Sequence, residues 1–426
     1  MTFTYVPRNR TEIRTLSVLE SLGLANYALP KILDDLNPQD VREISRRARL
    51  FAHIHPIPTR PVTGELGSVL EKNLYGYVLD KYGSVTALAR SFIGGGRGVV
   101  ITTGNLYFQF AVHLIRSLRM LNCDLPVEIW YNGAKDLNTT NTDFIKNFHQ
   151  VKVKNIRDHF SVKMETWDIK PFAVIASAFE EVLLLDADTV FAQNPEVLFN
   201  DEGYIKNGAL FFNDRSLFPG QGEKSNWILS MFPEPHSIRL QNLRMLQAKS
   251  QYELEAGCLL LDKRRHFHGL LAVGWLNCPG PIKDTIREET HGEKETFWIG
   301  LEMLDESYSF MPNLPGSLGT VTYNEGDRVE ELCGKLAHFG RDGKLLWFND
   351  AIAASKLPED YFLNVLSDLT HYALEREGEW EALCLRKGPF HKLDEDQLKM
   401  IEKLKSLYRF NPIERTLKPP VEDFEQ

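Results

Sequence analysis

The sequence predicts an α/β fold, a sandwich of helices around a largely parallel sheet. Two patterns point to it. Short apolar or β-branched runs alternate with segments in which apolar residues recur every three or four positions. One run, EVLLLD (181–186), is apolar without alternation, as a strand buried on both faces should be. It leads directly into the acids of Asp186-Ala187-Asp188.

Taken in order, residues 1–93 read as a helical flank. RTEIRTLSVLESLG (10–23) and NPQDVREISRRARLFAHI (37–54) carry helical spacing, the second behind Asn37 as its cap, and HPIPTRP (55–61) is a connector. Gly94-Gly95-Gly96-Arg97-Gly98 precedes its strand and lacks the GK[ST] ending of a phosphate loop, so it reads as a hinge into the core. GVVITTG (98–104) is a strand, YFQFAVHLIRSLRML (107–121) a helix, and PVEIWYNG (126–133) a strand closed by Asn-Gly. KPFAVIASAF (170–179) is a helix that leads into EVLLLD. Beyond about Leu357 the pattern turns helical again, as in LDEDQLKMIEKLKSLYRF (393–410), where Asp394 or a neighbour caps. The expected division is a helical region 1–93, a catalytic α/β domain 94–350 and a helical extension 351–426.

A chain of 426 residues holds one large or two medium domains, and 43% hydrophobic with 25% charged residues is ordinary for a globular protein. With 49 basic against 58 acidic side chains the net charge is −9, which argues against nucleic acid as a partner. No apolar run approaches the ~20 residues of a membrane span. The five cysteines form no CxxC pair, so a zinc site is not expected; one or two disulfides would suit a secretory protein.

In open α/β sheets, ligands bind outside the carboxyl ends of the strands. Asp186 and Asp188 sit there, and side chains two positions apart on an extended backbone point the same way. Two hard oxygen donors suit Mn²⁺ or Mg²⁺, ions that also hold a substrate's phosphates. The plainer reading is an Asx turn that caps the next segment. That segment is interrupted by Asn194-Pro195, and a cap needs only one acid. Lys170 opens a predicted helix, where a cation is unfavourable, so it calls for an anionic partner.

Six blocks occur in a family's order: GRGVVITTGNLYFQFAVHLIRSLR, KPFAVIASAFEEVLLLDADTVFAQNPEVLF, GALFFNDRSLF, ELEAGCLLLDKRRHF, HGEKETFWIGLEML and LAHFGRDGKLLWFN. Over roughly residues 96–350 the chain resembles the fungal Golgi α-mannosyltransferases that add α-1,2- or α-1,3-linked mannose to outer chains of glycoproteins. The resemblance implies a GT-A glycosyltransferase fold, GDP-mannose as donor, a glycan or glycoside acceptor, Mn²⁺ (or Mg²⁺) and retention of configuration. It implies residence in the Golgi lumen behind a membrane anchor. MTFTYVPRNRTEIRTL has no apolar stretch of that kind, so cytoplasmic residence is the alternative.

The resemblance also suggests roles. Asp186 and Asp188 match the metal-binding DxD, and His338 falls where a third ligand enters. Thr102, Thr103 and Gly104 lie where the nucleoside binds. Lys170, Arg215 and Lys344, with Arg341 beside the last, are cations for the donor's phosphates. Glu255 and Glu295 line the sugar pocket as catalytic candidates, with Glu293 nearby. Each has a plainer reading: a core histidine, a solvated turn, or an acid at a helix start. His266-Phe267-His268 reads as a basic surface turn, with metal binding as the alternative, and Trp167, Trp275 and Trp298 as core, with one of them free to stack on a sugar.

Rival readings are a UDP-hexose donor, a nucleotidyltransferase and a glycan-binding pseudoenzyme. A nucleotidyltransferase should carry a Gly-rich basic loop after its first strand, which TTGNLY is not. A pseudoenzyme predicts a broken metal set, whereas Asp186, Asp188 and His338 are all present.

Overall fold

A computed structural model describes residues 37, 39–352, 368–375, 379–381 and 384–408, apart from 219, 221, 291, 325 and 327. Its centre is a sheet of β1 (Arg97–Thr102), β2 (Val127–Tyr131), β3 (Val151–Asn155), β4 (Glu181–Asp186), β6 (Ala209–Asn213), β7 (Leu254–Asp262) and β8 (Ser309–Phe310), in the order β3-β2-β1-β4-β7-β6-β8. All neighbours run parallel except β7, which is antiparallel to both β4 and β6. This is the α/β layer sandwich predicted from the sequence.

Alternation along the strands builds two apolar layers. Val99, Ile101, Leu183 and Leu185 pack with Leu114 and Leu118 of the helix Phe108–Met120. Val100, Val182 and Leu184 face the other way, towards Phe172 and Ala173 of the helix Ile169–Ala176, here called α4. Helices α1 (Val41–Ile54), α2 (Gly64–Tyr82) and α3 (Val85–Arg90) join this second layer through Phe51, Leu70, Leu74 and Leu88. The cap of α1 is Asp40 rather than Asn37: its carboxylate accepts Glu43 N at 3.0 Å, while Asn37 Oδ1 accepts Gln39 N at 3.1 Å. The segment 10–23 lies outside the described residues.

A second sheet stands on β10 (Val329–Phe339), which pairs with β9 (Gly316–Asn324), β11 (Leu345–Phe348) and β14 (Cys384–Arg386). Through β11 it reaches β5 (Val190–Phe191), just past the two acids. The helical reading of the tail holds for Glu395–Ser406, capped by Asp394 as expected. It fails for 371–392, where β12 (His371–Leu374), β13 (Trp380–Glu381), β14 and β15 (His391–Lys392) are strands. The edge of β9 recruits β12, Tyr372 pairing with Leu318, and a Cys333–Cys384 disulfide fastens β14 to β10. Tertiary pairing there overrides a weak local pattern. Among the described residues no helix is long and apolar enough to cross a membrane.

The glycine run does act as a joint into the core. Gly94 and Gly96 adopt φ of +82° and +64°, and a Cβ on Gly95 would stand 1.7 Å from Ala178 O. A backbone carbonyl cannot retreat as a flexible side chain would. Gly95→Ala is therefore expected to lower stability by about 1–3 kcal/mol, read as a lower midpoint in urea at unchanged m.

Candidate active site at the carboxyl ends of the strands

Asp186 closes β4 level with Thr102, the last residue of β1. Both belong to the alternation that faces α4, since Val100 and Leu184 two positions earlier pack in that layer. The first turn of α4 meets Asp186 there: Lys170 Nζ lies 2.8 Å from Asp186 Oδ1 and 3.0 Å from Glu293 Oε1. The anionic partner expected for Lys170 is thus present twice. Burial alone would lower the pKa of this ammonium, but Asp186 and Glu293 outweigh it and hold the pKa above its usual value. Asp188, 4% exposed, sits on the turn into β5. That turn is fixed by Thr189 Oγ1 donating to Gly257 O and by Ala351 N donating to Asp188 O, each at 2.8 Å.

Just past β6, Asp214 is buried, ion-paired with Lys294, and accepts Arg215 N at 2.7 Å. Burial would raise its pKa; Lys294 and Arg215 prevail and hold it below the usual carboxylate range. Glu255, second in β7, accepts from Gly257 N at 2.9 Å and Asn349 Nδ2 at 3.0 Å. Burial, followed by the like charges of Asp214 and Asp186, pushes its carboxyl up to about 7 against the pull of Lys294. Gly104 has no room for a side chain, because a Cβ would stand 2.3 Å from Asp136 Oδ1. Thr103 N donates to Trp130 O at 3.0 Å, which fixes the loop after β1 against β2.

His338 is buried on β10, stacked on Trp347 with ring centroids 4.0 Å apart, and burial pushes its pKa down to about 3. The ring is neutral near pH 7, and its buried Nε2 has no hydrogen-bond partner in the protein. A neutral imidazole with an unused nitrogen and two aspartates at a strand end are donor types that suit Mn²⁺ or Mg²⁺. The three are not gathered to within 4.8 Å of one another; among the described residues only Glu331, Cys333 and Cys384 are, and those two sulfurs are joined in the disulfide.

Two expected site residues stand apart. Glu295 is fully buried, and its carboxylate accepts Glu253 N at 3.0 Å, Leu254 N at 3.3 Å and the Trp298 indole N–H. Burial raises its pKa to about 7, yet its oxygens are engaged in holding the start of β7. Lys344 lies on the exposed tip of the β10–β11 hairpin, 3.6 Å from Asp342, and Arg341 beside it is paired with Asp201 at 2.6 Å. A hairpin tip points away from the strand ends where Asn349 meets Glu255, so neither cation faces the carboxylates. Arg215 is in the cluster, 3.8 Å from Asp214, with its guanidinium over Trp380.

Three aromatic expectations also change. His266 and His268 are buried rather than on a surface turn, His266 being held between Glu306 and Asn207 O. Trp298 is core, whereas Trp167 is 48% exposed.

Residues 96–340 match the family model described as "Mannosyltransferase putative". The chain belongs to this mannosyltransferase family. It is 29% identical over 311 residues to "Putative alpha-1,3-mannosyltransferase MNN13" of Candida albicans, covering 60% of this chain and 40% of the relative. It is 26% identical over 306 residues to "Alpha-1,3-mannosyltransferase MNT2" of Saccharomyces cerevisiae, covering 62% and 53%. The chain thus spans about half the length, or less, of these mannosyltransferase relatives. Among solved structures, the galactosyltransferase LgtC in complex with donor and acceptor sugar analogues aligns at 14% identity over 48% of this chain and 70% of that one, with a TM-score of 0.33.

The sequence reading passed over Asp214, Lys294 and Asn349. Asp214 carried a usable signal, because it follows the strand ALFFN as Asp186 ends EVLLLD. Lys294 and Asn349 reach the site only through tertiary packing.

Lys170→Met would leave Asp186 and Glu293 facing each other without their cation. Removing one partner of a buried ion pair costs about 3–5 kcal/mol, so the variant should melt well below the wild type. Thermal melts of the two proteins side by side test this.

Proposed function

We propose that this chain transfers mannose from GDP-mannose to a mannoside or other glycan, with Asp186, Asp188 and His338 holding Mn²⁺ or Mg²⁺. The observation that carries the reading is the chain of charges Glu293–Lys170–Asp186 at the carboxyl end of β4, beside Glu255 and the Asp214–Lys294 pair, within the segment matched by the mannosyltransferase family. The names of the relatives, α-1,3-mannosyltransferases, favour mannose as the sugar and another mannoside as the acceptor.

Within this reading the loop Thr102–Gly104 receives the nucleoside. When bound, the divalent ion neutralises the charge that grows on the diphosphate as the sugar–phosphate bond breaks. Lys170 has a protonated ammonium beside Asp186, where it can share its hydrogen bonds with a phosphate oxygen. Glu255, held by Gly257 N and Asn349, presents a carboxylate to the developing positive charge on the sugar. Retention follows if Glu255 displaces the diphosphate and the acceptor hydroxyl then displaces Glu255, or if the acceptor attacks from the side the phosphate leaves while the departing phosphate takes its proton. The Cys333–Cys384 disulfide favours folding in an oxidising lumen, in line with Golgi residence.

A donor panel scoring nucleoside diphosphate release with Mn²⁺ or EDTA, with and without α-mannosides, is the direct test. Turnover is expected with GDP-mannose and lost in EDTA, and Asp188→Ala should fall by at least about 100-fold. Preference for a UDP-hexose would replace the donor, and equal turnover in EDTA would remove the metal.

Glu255 adds a pH dependence. With a folded pKa near 7, its carboxylate forms only as pH passes neutrality, so activity should climb on an acid limb centred there. Because that pKa is raised on folding, ionising Glu255 costs stability between its usual range and about 7. Glu255→Gln should abolish the acid limb with most of the rate, and melt higher than the wild type above neutral pH.

A further inference from the structure

Trp167 is a large apolar side chain, 48% exposed, three residues before the lysine that grips Asp186. It sits on a segment pinned from below. Asp168 is fully buried and accepts Lys283 Nζ at 2.6 Å, is paired with Arg287, and accepts Glu165 N at 2.9 Å. On its other side the segment is tied to the end of β2, where Asn132 Nδ2 donates to Met164 O at 2.9 Å. The same Asn132 has its N bound to Asp136 Oδ2 at 2.7 Å, and Asp136 O accepts Asn105 N at 2.7 Å. A continuous run of hydrogen bonds therefore leads from the loop after β1, through the loop after β2, to the turn that presents Trp167. Towards the charged cluster, a Cβ built on Gly292 would stand 3.8 Å from the indole, so the ring lies beside the residue that precedes Glu293.

We propose that Trp167 is the platform on which the planar base of the nucleotide donor stacks. This rests on the donor reading above and adds the base-binding residue to it. The phosphates are drawn to the end of β4 by Lys170 and the aspartates, and the nucleoside to the end of β1. The base then extends towards the end of β2, along the loops that carry Trp167. A half-exposed indole on a rigid turn loses little conformational freedom when a base covers it. Stacking on an aromatic face tolerates every base, and its loss on alanine substitution weakens binding by roughly 5- to 150-fold. A purine offers the larger face.

The test is direct binding of GDP, UDP and inorganic pyrophosphate with Mn²⁺, followed by calorimetry and intrinsic fluorescence in the wild type, Trp167→Ala and Trp167→Phe. Trp167→Ala should weaken GDP by about tenfold or more, the factor that corresponds to 1.4 kcal/mol, with pyrophosphate affinity and the melting temperature unchanged. Trp167→Phe should keep most of the affinity, and the GDP-dependent quench of tryptophan fluorescence should vanish with the indole. Equal GDP affinity in Trp167→Ala and the wild type would overturn the proposal, as would a loss shared by pyrophosphate. A raised acceptor KM with GDP binding intact would also overturn it, moving the ring to the acceptor side. Failure of the wild type to bind any nucleoside diphosphate would instead sink the donor reading, and the platform with it; binding without transfer would sink only the activity.

Discussion

Lys170 is nine-tenths buried in the first turn of α4, where both desolvation and the helix dipole oppose its charge. It is tolerated because Asp186 and Glu293, far apart in sequence, converge on it. That requirement constrains much of the molecule. Strand β4 must end level with the start of α4, and the segment before the helix Thr296–Met303 must fold over both. The layer containing Phe172, Ala173 and Leu184 supplies the packing that keeps them in register. The cluster is a small charged centre held by a large apolar one.

The reversal of β7 serves the same centre. In a wholly parallel sheet this position would present its first residues at the amino ends, away from Asp186. Running backwards, β7 starts where β4 and β6 finish, so Glu255 lies opposite Phe212, two residues before Asp214. The same reversal places Gly257 to bind Thr189 and Glu255 together. One inverted strand therefore brings a third carboxylate to a site that two parallel strands had begun.

Strands and helices with clear periodicity were legible: EVLLLD is β4 to the residue, and the first three core elements sit within two residues of their expected bounds. The acids, Lys170 and Glu255 could be read because each stands at a strand or helix end, and the topology of an open α/β sheet gives such ends a meaning. What could not be read is contact between distant segments. Glu295 has the same local setting as Glu293, yet one carboxylate caps backbone amides and the other meets Lys170, a difference of side-chain direction that spacing does not encode. Lys344 looked close to His338 along the chain, but the hairpin tip turns it out to solvent while His338 is buried. The strands 371–392 take their form from the edge of β9 and from the disulfide.

The strands after residue 370 have a further consequence for the site. Glu375 accepts Ser216 N at 3.2 Å and the Trp380 indole N–H, and the Arg215 guanidinium lies over the Trp380 ring. Arg244 binds Asp214 O at 2.7 Å and Ser216 Oγ at 2.9 Å while also reaching Glu253. The turn that carries Asp214 is therefore held from the core side by Arg244 and from the second sheet by Glu375 and Trp380. Because β14 is fastened to β10 by the disulfide, and β10 carries His338, the wall behind Asp214 and this histidine belong to one sheet. A mutation far along the chain in this second sheet thus acts on the carboxylates through packing, and the site is complete only when both sheets are in place.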